Sequence, residues 1–211
     1  MRRPPIVARL LALAALLAAS GIATAGAAAE FFAGSYSFSD ELGGFRLVSA
    51  SGSGTADDPF VIVEELASVD PVILVIRRHD RREIGPHPAQ IQLTLVKQVV
   101  NRSNRVWAGF EVELQEILNE PSVYSDGLSF KQFAAQPMDV ESDVFSLNER
   151  RFEPYDRITF QGGSVDPDAA VRFRFTITDP TPVREFYLLQ DPNLLSAGLP
   201  ASGRSFAVRI R

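Results

Sequence analysis

From residue 171 to residue 178 apolar and polar side chains alternate without interruption, with Val171, Phe173, Phe175 and Ile177 in one set and Arg172, Arg174, Thr176 and Thr178 in the other. Successive side chains of an extended chain point to opposite faces, so this register predicts a strand with one buried and one wet face. A helix, with its period of about 3.6 residues, would scatter the same four apolar groups around its axis. Burying each of them is worth roughly 1.5–3 kcal/mol before chain entropy is subtracted. The same rhythm recurs in Ile91, Leu93 and Leu95, in Phe110, Val112 and Leu114 with Glu111 and Glu113 facing out, and in Phe206, Val208 and Ile210. These are expected to be half-exposed antiparallel strands. Residues 60–63 and 72–76 are continuous apolar runs, which suit central strands covered on both sides. Shorter strands are expected at 45–48, 128–130, 158–160 and 186–189.

Turn signals separate these runs: Ser51-Gly52-Ser53-Gly54, Asp70-Pro71, Gly85-Pro86, Gly162-Gly163, Asp166-Pro167 and Asp179-Pro180. About nine or ten short strands with such turns between them predict an all-β fold, an antiparallel β-sandwich of Ig-like or jelly-roll-like type. The one stretch left for a short helix is 145–150, and no fixed-period repeat suggests a solenoid or propeller. The chain contains no cysteine, which excludes disulfide staples, thiolate metal ligands and a cysteine nucleophile.

The amino terminus has a different character. Arg2, Arg3 and Arg9 precede or open an unbroken Leu/Ala run over residues 10–19, followed by Ala23-Thr24-Ala25 and Ala27-Ala28-Ala29. A basic segment, an apolar segment too short to span a bilayer and small-x-small cleavage patterns are the three parts of a secretory signal peptide. Residues 1–29 are therefore expected to be a signal peptide and 30–211 a single β-sandwich domain, periplasmic or secreted, without a transmembrane anchor in the mature chain. Pro4-Pro5 after the arginine pair favours ordinary export over the twin-arginine route. The whole chain carries a formal charge of −5 and the leader only positive charges, so the mature part is more acidic still. Such a balance argues against nucleic acid as a partner.

Two stretches carry a resemblance. The first runs from Val100-Asn101 to Trp107-Ala108-Gly109-Phe110-Glu111-Val112-Glu113-Leu114 and on to Asp126-Gly127-Leu128-Ser129-Phe130. The second is Ile158-Thr159-Phe160-Gln161-Gly162-Gly163 leading through Val165-Asp166-Pro167 to the alternating strand, then Phe186-Tyr187-Leu188-Leu189-Gln190-Asp191-Pro192. Together, over roughly a third of the mature chain, they resemble secreted bacterial β-sandwich modules of uncharacterised function. The resemblance implies the sandwich, with an Asn-ended strand, a short turn and the Trp107 strand forming a hairpin beside the core. Gly52 to Ile62 also looks like the entry strand of secreted β-helix proteins, but is read as a Gly-rich turn in which Asp58-Pro59 launches a strand.

Groups able to carry chemistry are few. Both histidines, His79 and His87, lie in the stretch from Arg77-Arg78-His79-Asp80-Arg81-Arg82-Glu83 to Pro86-His87-Pro88. Neutral imidazoles with Asp80 or Glu83 suit zinc, but the four arginines oppose a cation, so a solvated hairpin loop is expected. A serine triad would have to borrow one of these histidines, and no Gly-x-Ser-x-Gly elbow is present. Asp139, Glu141 and Asp143 are spaced for calcium in a loop, yet Val144 and Arg150 stand where an EF-hand needs glycine and glutamate. Asn101-Arg102-Ser103 matches a glycosylation sequon and is read as a turn.

The expectation is accordingly a non-catalytic exported module that binds a protein or cell-envelope component through loops at one end, with no catalytic residue, metal or cofactor. Arg78, Arg81 and Arg82 form its anion-binding patch. The alternative is a carbohydrate-binding or carbohydrate-processing domain using acidic residues and Trp107, the single tryptophan, as a stacking platform, while Glu111 and Glu113, which share one strand face, are read as its wet side. An exposed Trp107 beside a groove with converging carboxylates favours the alternative, and a buried Trp107 removes the platform.

Overall fold

The computed structural model describes residues 27–79, 91–131, 140–151 and 154–194. Residues 1–26 of the signal peptide expected over 1–29, Arg81, Arg82 and His87, Asp139 and the strand expected at 206–210 lie outside the described residues. Thirteen strands are formed among those described: β1 (Glu30–Ala33), β2 (Tyr36–Ser39), β3 (Phe45–Ser51), β4 (Phe60–Leu66), β5 (Val72–Arg78), β6 (Ile91–Asn101), β7 (Trp107–Gln115), β8 (Ser129–Phe130), β9 (Glu141–Ser142), β10 (Leu147–Arg151), β11 (Arg157–Gln161), β12 (Ala170–Asp179) and β13 (Glu185–Leu194). The only helical element among them is a single 3-10 turn, Tyr124–Asp126, and no helix is long and apolar enough to cross a membrane.

A seven-stranded sheet has the order β1-β2-β5-β13-β7-β11-β10, and a second sheet the order β3-β4-β6-β12-β8 with β9 also on β12. The inner faces meet in one core cluster drawn from both sheets. Across that interface Phe38 meets Phe60 at 5.1 Å between ring centroids, while Phe110 and Phe160 each meet Phe173 at 4.7 Å. These are the separations at which aromatic pairs add to simple area burial. The chain is thus an all-β sandwich, as the alternating register predicts, and Val171, Phe173, Phe175 and Ile177 all lie in its core.

Several local expectations are corrected. Residues 147–151 form an edge strand on β11 and not a helix, because the Leu147↔Gln161 to Arg151↔Arg157 pairing satisfies backbone groups that a lone short helix would leave to water. The second sheet is mixed, since β4 runs parallel to β6. The Asn101 and Trp107 strands belong to opposite sheets, so the expected hairpin is a crossover from one layer to the other. Nor is the β4 run covered on both sides, because its inner residues Phe60, Ile62, Glu64 and Leu66 are buried while Val61, Val63 and Glu65 are half-buried. The far half of β12 is covered on both faces, Thr176 and Thr178 being buried as well as their apolar neighbours.

Strand polarity gathers the connections at two ends. One end receives the turn at 34–35, the connections 52–59, 79–90, 116–128 and 180–184, and the link into β11. Glycine is required in the 52–59 turn: Gly52 has φ 92°, and a Cβ there would lie 2.0 Å from the Pro59 carbonyl oxygen. That turn launches β4, as Asp58-Pro59 suggests.

Candidate functional site

β5 lies third from one edge of the larger sheet, flanked by β2 and β13, and this pairing carries its last residues rigidly to the loop-rich end. Arg77 is held there by Glu41 at 2.6 Å and by Glu185 at 2.5 Å, and these two carboxylates raise its pKa further. Arg78, the first of the three arginines singled out, is half-buried, and its N–H donates to the Arg184 carbonyl at 2.8 Å. It stands at the mouth of the 79–90 connection that carries Arg81 and Arg82. At the same end Glu116 lies near Asp126 and Asp179; burial first, and then these two carboxylates, push its pKa up. Among the described residues, this end of the sandwich therefore carries Arg77 and Arg78 of β5 as well as Glu116, Asp126 and Asp179.

His79 follows Arg78 directly. Its ring packs on exposed Phe32 at 5.0 Å, and its Nε2 lies 2.6 Å from the Ser37 hydroxyl. Ser37 also donates to Glu30 at 2.7 Å, so the carboxylate sits on the serine and not on the second ring nitrogen. With its hydrogen directed to Glu30 and its oxygen buried, Ser37 lacks the wiring of an activated nucleophile.

Trp107 is fully buried, and its indole N–H donates to Ser103 at 3.3 Å inside the core. A ring without an open face cannot stack on a sugar, so the Trp107 platform is withdrawn. The Glu111 and Glu113 carboxylates of the same strand are engaged as well. Arg157 bridges Glu111 at 2.8 Å and Glu113 at 2.5 Å while lying 4.1 Å over the Tyr155 ring. Glu113, expected on a wet face, is buried beneath this guanidinium. The pair is pinned by one cation and is not free for acid–base work.

Asn101 is fully buried and satisfies its turn from within: its amide donates to the Arg105 and Val165 carbonyls, and its oxygen accepts from the Ser103 backbone and hydroxyl. Asp143 accepts the Arg172 backbone N–H at 2.8 Å, which gives it a structural role beside the β9 pairing. Among the described residues no group of three or more His, Cys, Asp or Glu is arranged to hold a metal ion. On the outer face of the second sheet, Pro59, Val61, Val96, Ser142, Arg172 and Arg174 line a groove of about 380 Å³.

One constellation escaped the sequence reading. Glu64, Lys97 and Gln190 are all fully buried between the sheets, with the Lys97 ammonium 2.8 Å from Glu64 Oε1 and the Gln190 amide donating to Glu64 Oε2 at 3.3 Å. Burial pushes the Lys97 pKa down, opposed by Glu64.

No protein-family model matches the chain, and neither a curated protein nor a solved structure matches it.

Proposed function

We propose that this chain is a non-catalytic exported β-sandwich that binds a protein or cell-envelope component through the loops at one end. The observation that carries the reading is the convergence of six connections at the end where β5 delivers Arg78, the 79–90 segment among them. Loops held on a rigid two-sheet scaffold are where such folds place recognition. Arginine forks on that segment suit carboxylate or phosphate groups of a partner, and an acidic remainder keeps the patch distinct from its surroundings. Export rests on the basic and apolar leader, and β1 opens at Glu30, the residue expected to follow cleavage. Arg157 bridging both Glu111 and Glu113 supports a non-catalytic role for that acidic face.

The test is capture from solubilised envelope by the immobilised mature domain, comparing wild type with the combined Arg78→Ala, Arg81→Ala, Arg82→Ala variant. Loss of a saturable, salt-sensitive captured species in the variant supports the reading. Undiminished capture by a variant with unchanged thermal stability removes the arginine patch from it. Fractionation of cells expressing the full chain, with mature mass read from the exported pool, tests the location.

A further inference from the structure

The interior of a sandwich is an expensive place for an amine, an acid and a carboxamide. Apolar residues of similar volume would hold the two sheets together at least as well, because the desolvation of a buried pair offsets most of its attraction. Yet Glu64 sits between Ile62 and Leu66 on the inner face of β4, Lys97 between Leu95 and Val99 on β6, and Gln190 follows Leu188 on β13 of the opposite sheet. The amine and the amide occupy the two oxygens of one carboxylate. Glu64 is the ion-pair partner of Lys97, yet Lys97 Nζ and Glu64 Oε1 make no hydrogen bond of good geometry, and the Gln190 carbonyl oxygen is likewise buried without a donor. Which end of a glutamine amide is oxygen is assigned from its hydrogen bonds. Turning the Gln190 amide over sets its oxygen against Glu64, where a protonated carboxyl would satisfy it.

We propose that Lys97 and Gln190 become joined by an intramolecular isopeptide bond, formed within the folded core with Glu64 as the proton carrier. A proton passes from the Lys97 ammonium to the Glu64 carboxylate, leaving a neutral amine. The Nζ lone pair attacks Gln190 Cδ while the Glu64 carboxyl polarises the amide oxygen, and a C–N bond forms. The tetrahedral centre collapses by breaking the Cδ–Nε2 bond, with the second Nζ proton carried to the departing nitrogen, which leaves as ammonia. Glu64 ends protonated, donating to the carbonyl of the new amide. Atoms and charge balance without oxidant, metal or co-reactant, and the reaction removes both buried charges. Burial that lowers the Lys97 pKa favours the nucleophilic form the first step needs. The product ties β6 of one sheet to β13 of the other, a covalent staple in a chain that has no cysteine to make one.

The experiment is mass spectrometry of the purified full chain under denaturing conditions, with peptide mapping. The expected result is an intact mass one ammonia below that of the unlinked sequence, no tryptic cleavage after Lys97, and a branched peptide joining the Lys97 and Gln190 segments. Lys97→Arg, Gln190→Ala and Glu64→Gln should each restore the unshifted mass. Should these variants fail to fold, the wild-type peptide map decides alone: linear peptides ending at Lys97 and carrying an intact Gln190 overturn the proposal.

Discussion

Asp40 accepts the backbone N–H of Leu47 at 2.8 Å with one carboxylate oxygen and that of Ala29 at 2.6 Å with the other. Because Asp40 follows β2 in the larger sheet and Leu47 lies in β3 of the smaller, one buried side chain fixes both the approach to β1 and the first crossover between layers. Hydrogen bonds to a charged acceptor are worth about 1.5–3 kcal/mol each, so Asp40→Ala should destabilise the domain by about 3 kcal/mol. Asp40→Asn, which keeps one acceptor, should lose about half as much. Urea unfolding of the two variants provides the check; equal losses would mean that only one of the two bonds matters.

Trp107 is a reporter placed by the fold itself. It is the single tryptophan, it is fully buried, and its N–H is engaged with Ser103. Native emission should be blue-shifted and protected from iodide, should move to the red in one step on unfolding, and should not respond to added oligosaccharides. Trp107→Ala should cost about 3–5 kcal/mol through the cavity it leaves. Iodide quenching of the native protein as efficient as that of free indole would contradict the burial.

Much of the fold was legible because a period of two is a strong signal wherever one sheet face is dry. β12 shows why: four alternate apolar residues fall in the core as their register requires. The same parity also holds the residues that went unnoticed. Glu64 shares its face with Phe60 and Ile62, Lys97 with Leu93 and Leu95, and Gln190 with Phe186 and Leu188. Polarity suggests the wet side for such residues, whereas register puts them inside, and register won because neighbouring pairs already commit each strand. Trp107 was ambiguous for another reason. The register of β7 against β13 shifts at Asn193 and Leu194, so Trp107 and Phe110 are both buried although three residues apart. Nothing local announces a bulge whose partner lies more than eighty residues away. The strand at 147–151 was illegible likewise, since its extended form depends on the open edge of β11.

A second buried pair yields a pH-dependent prediction. Arg150 lies 3.4 Å from Asp156, and both are shielded from solvent. Burial pushes the Asp156 pKa up, against the lowering effects of Ser129, Arg150 and the Phe130 N–H, and burial likewise lowers that of Arg150. Arg150→Met leaves the carboxylate without its cation and should cost about 3–5 kcal/mol at neutral pH. A carboxyl whose folded pKa is raised contributes stability present below its unfolded pKa and lost as pH rises through the folded value. The cost of Arg150→Met should therefore shrink as the medium is acidified through the carboxylate range. Denaturant unfolding of variant and wild type across that range measures it, and a cost independent of pH would show that Asp156 does not carry the effect.

Glu116 makes the converse case, a residue whose removal should help. Burial raises its pKa first, and the neighbouring Asp126 and Asp179 carboxylates add to the shift. Asp179 is itself raised by burial although the Thr181 and Val183 N–H groups oppose it, so the cluster holds negative charge reluctantly. At neutral pH Glu116 is ionised in the unfolded chain without penalty and in the folded chain against two like charges. Glu116→Gln should consequently be more stable than wild type at neutral pH, and the advantage should vanish below the ordinary carboxylate range, where the side chain is protonated in both states. The Arg77-bound Glu41 and the Arg46- and Arg102-bound Glu65 act in the opposite sense, since hydrogen bonds from these arginines lower their pKa values and their contribution disappears as pH falls. Comparing Glu116→Gln with wild type at each pH cancels that common background and leaves Glu116 with its coupling to Asp126 and Asp179 in the difference. An advantage that stays constant from acid to neutral pH would locate the gain in packing and not in the relief of charge.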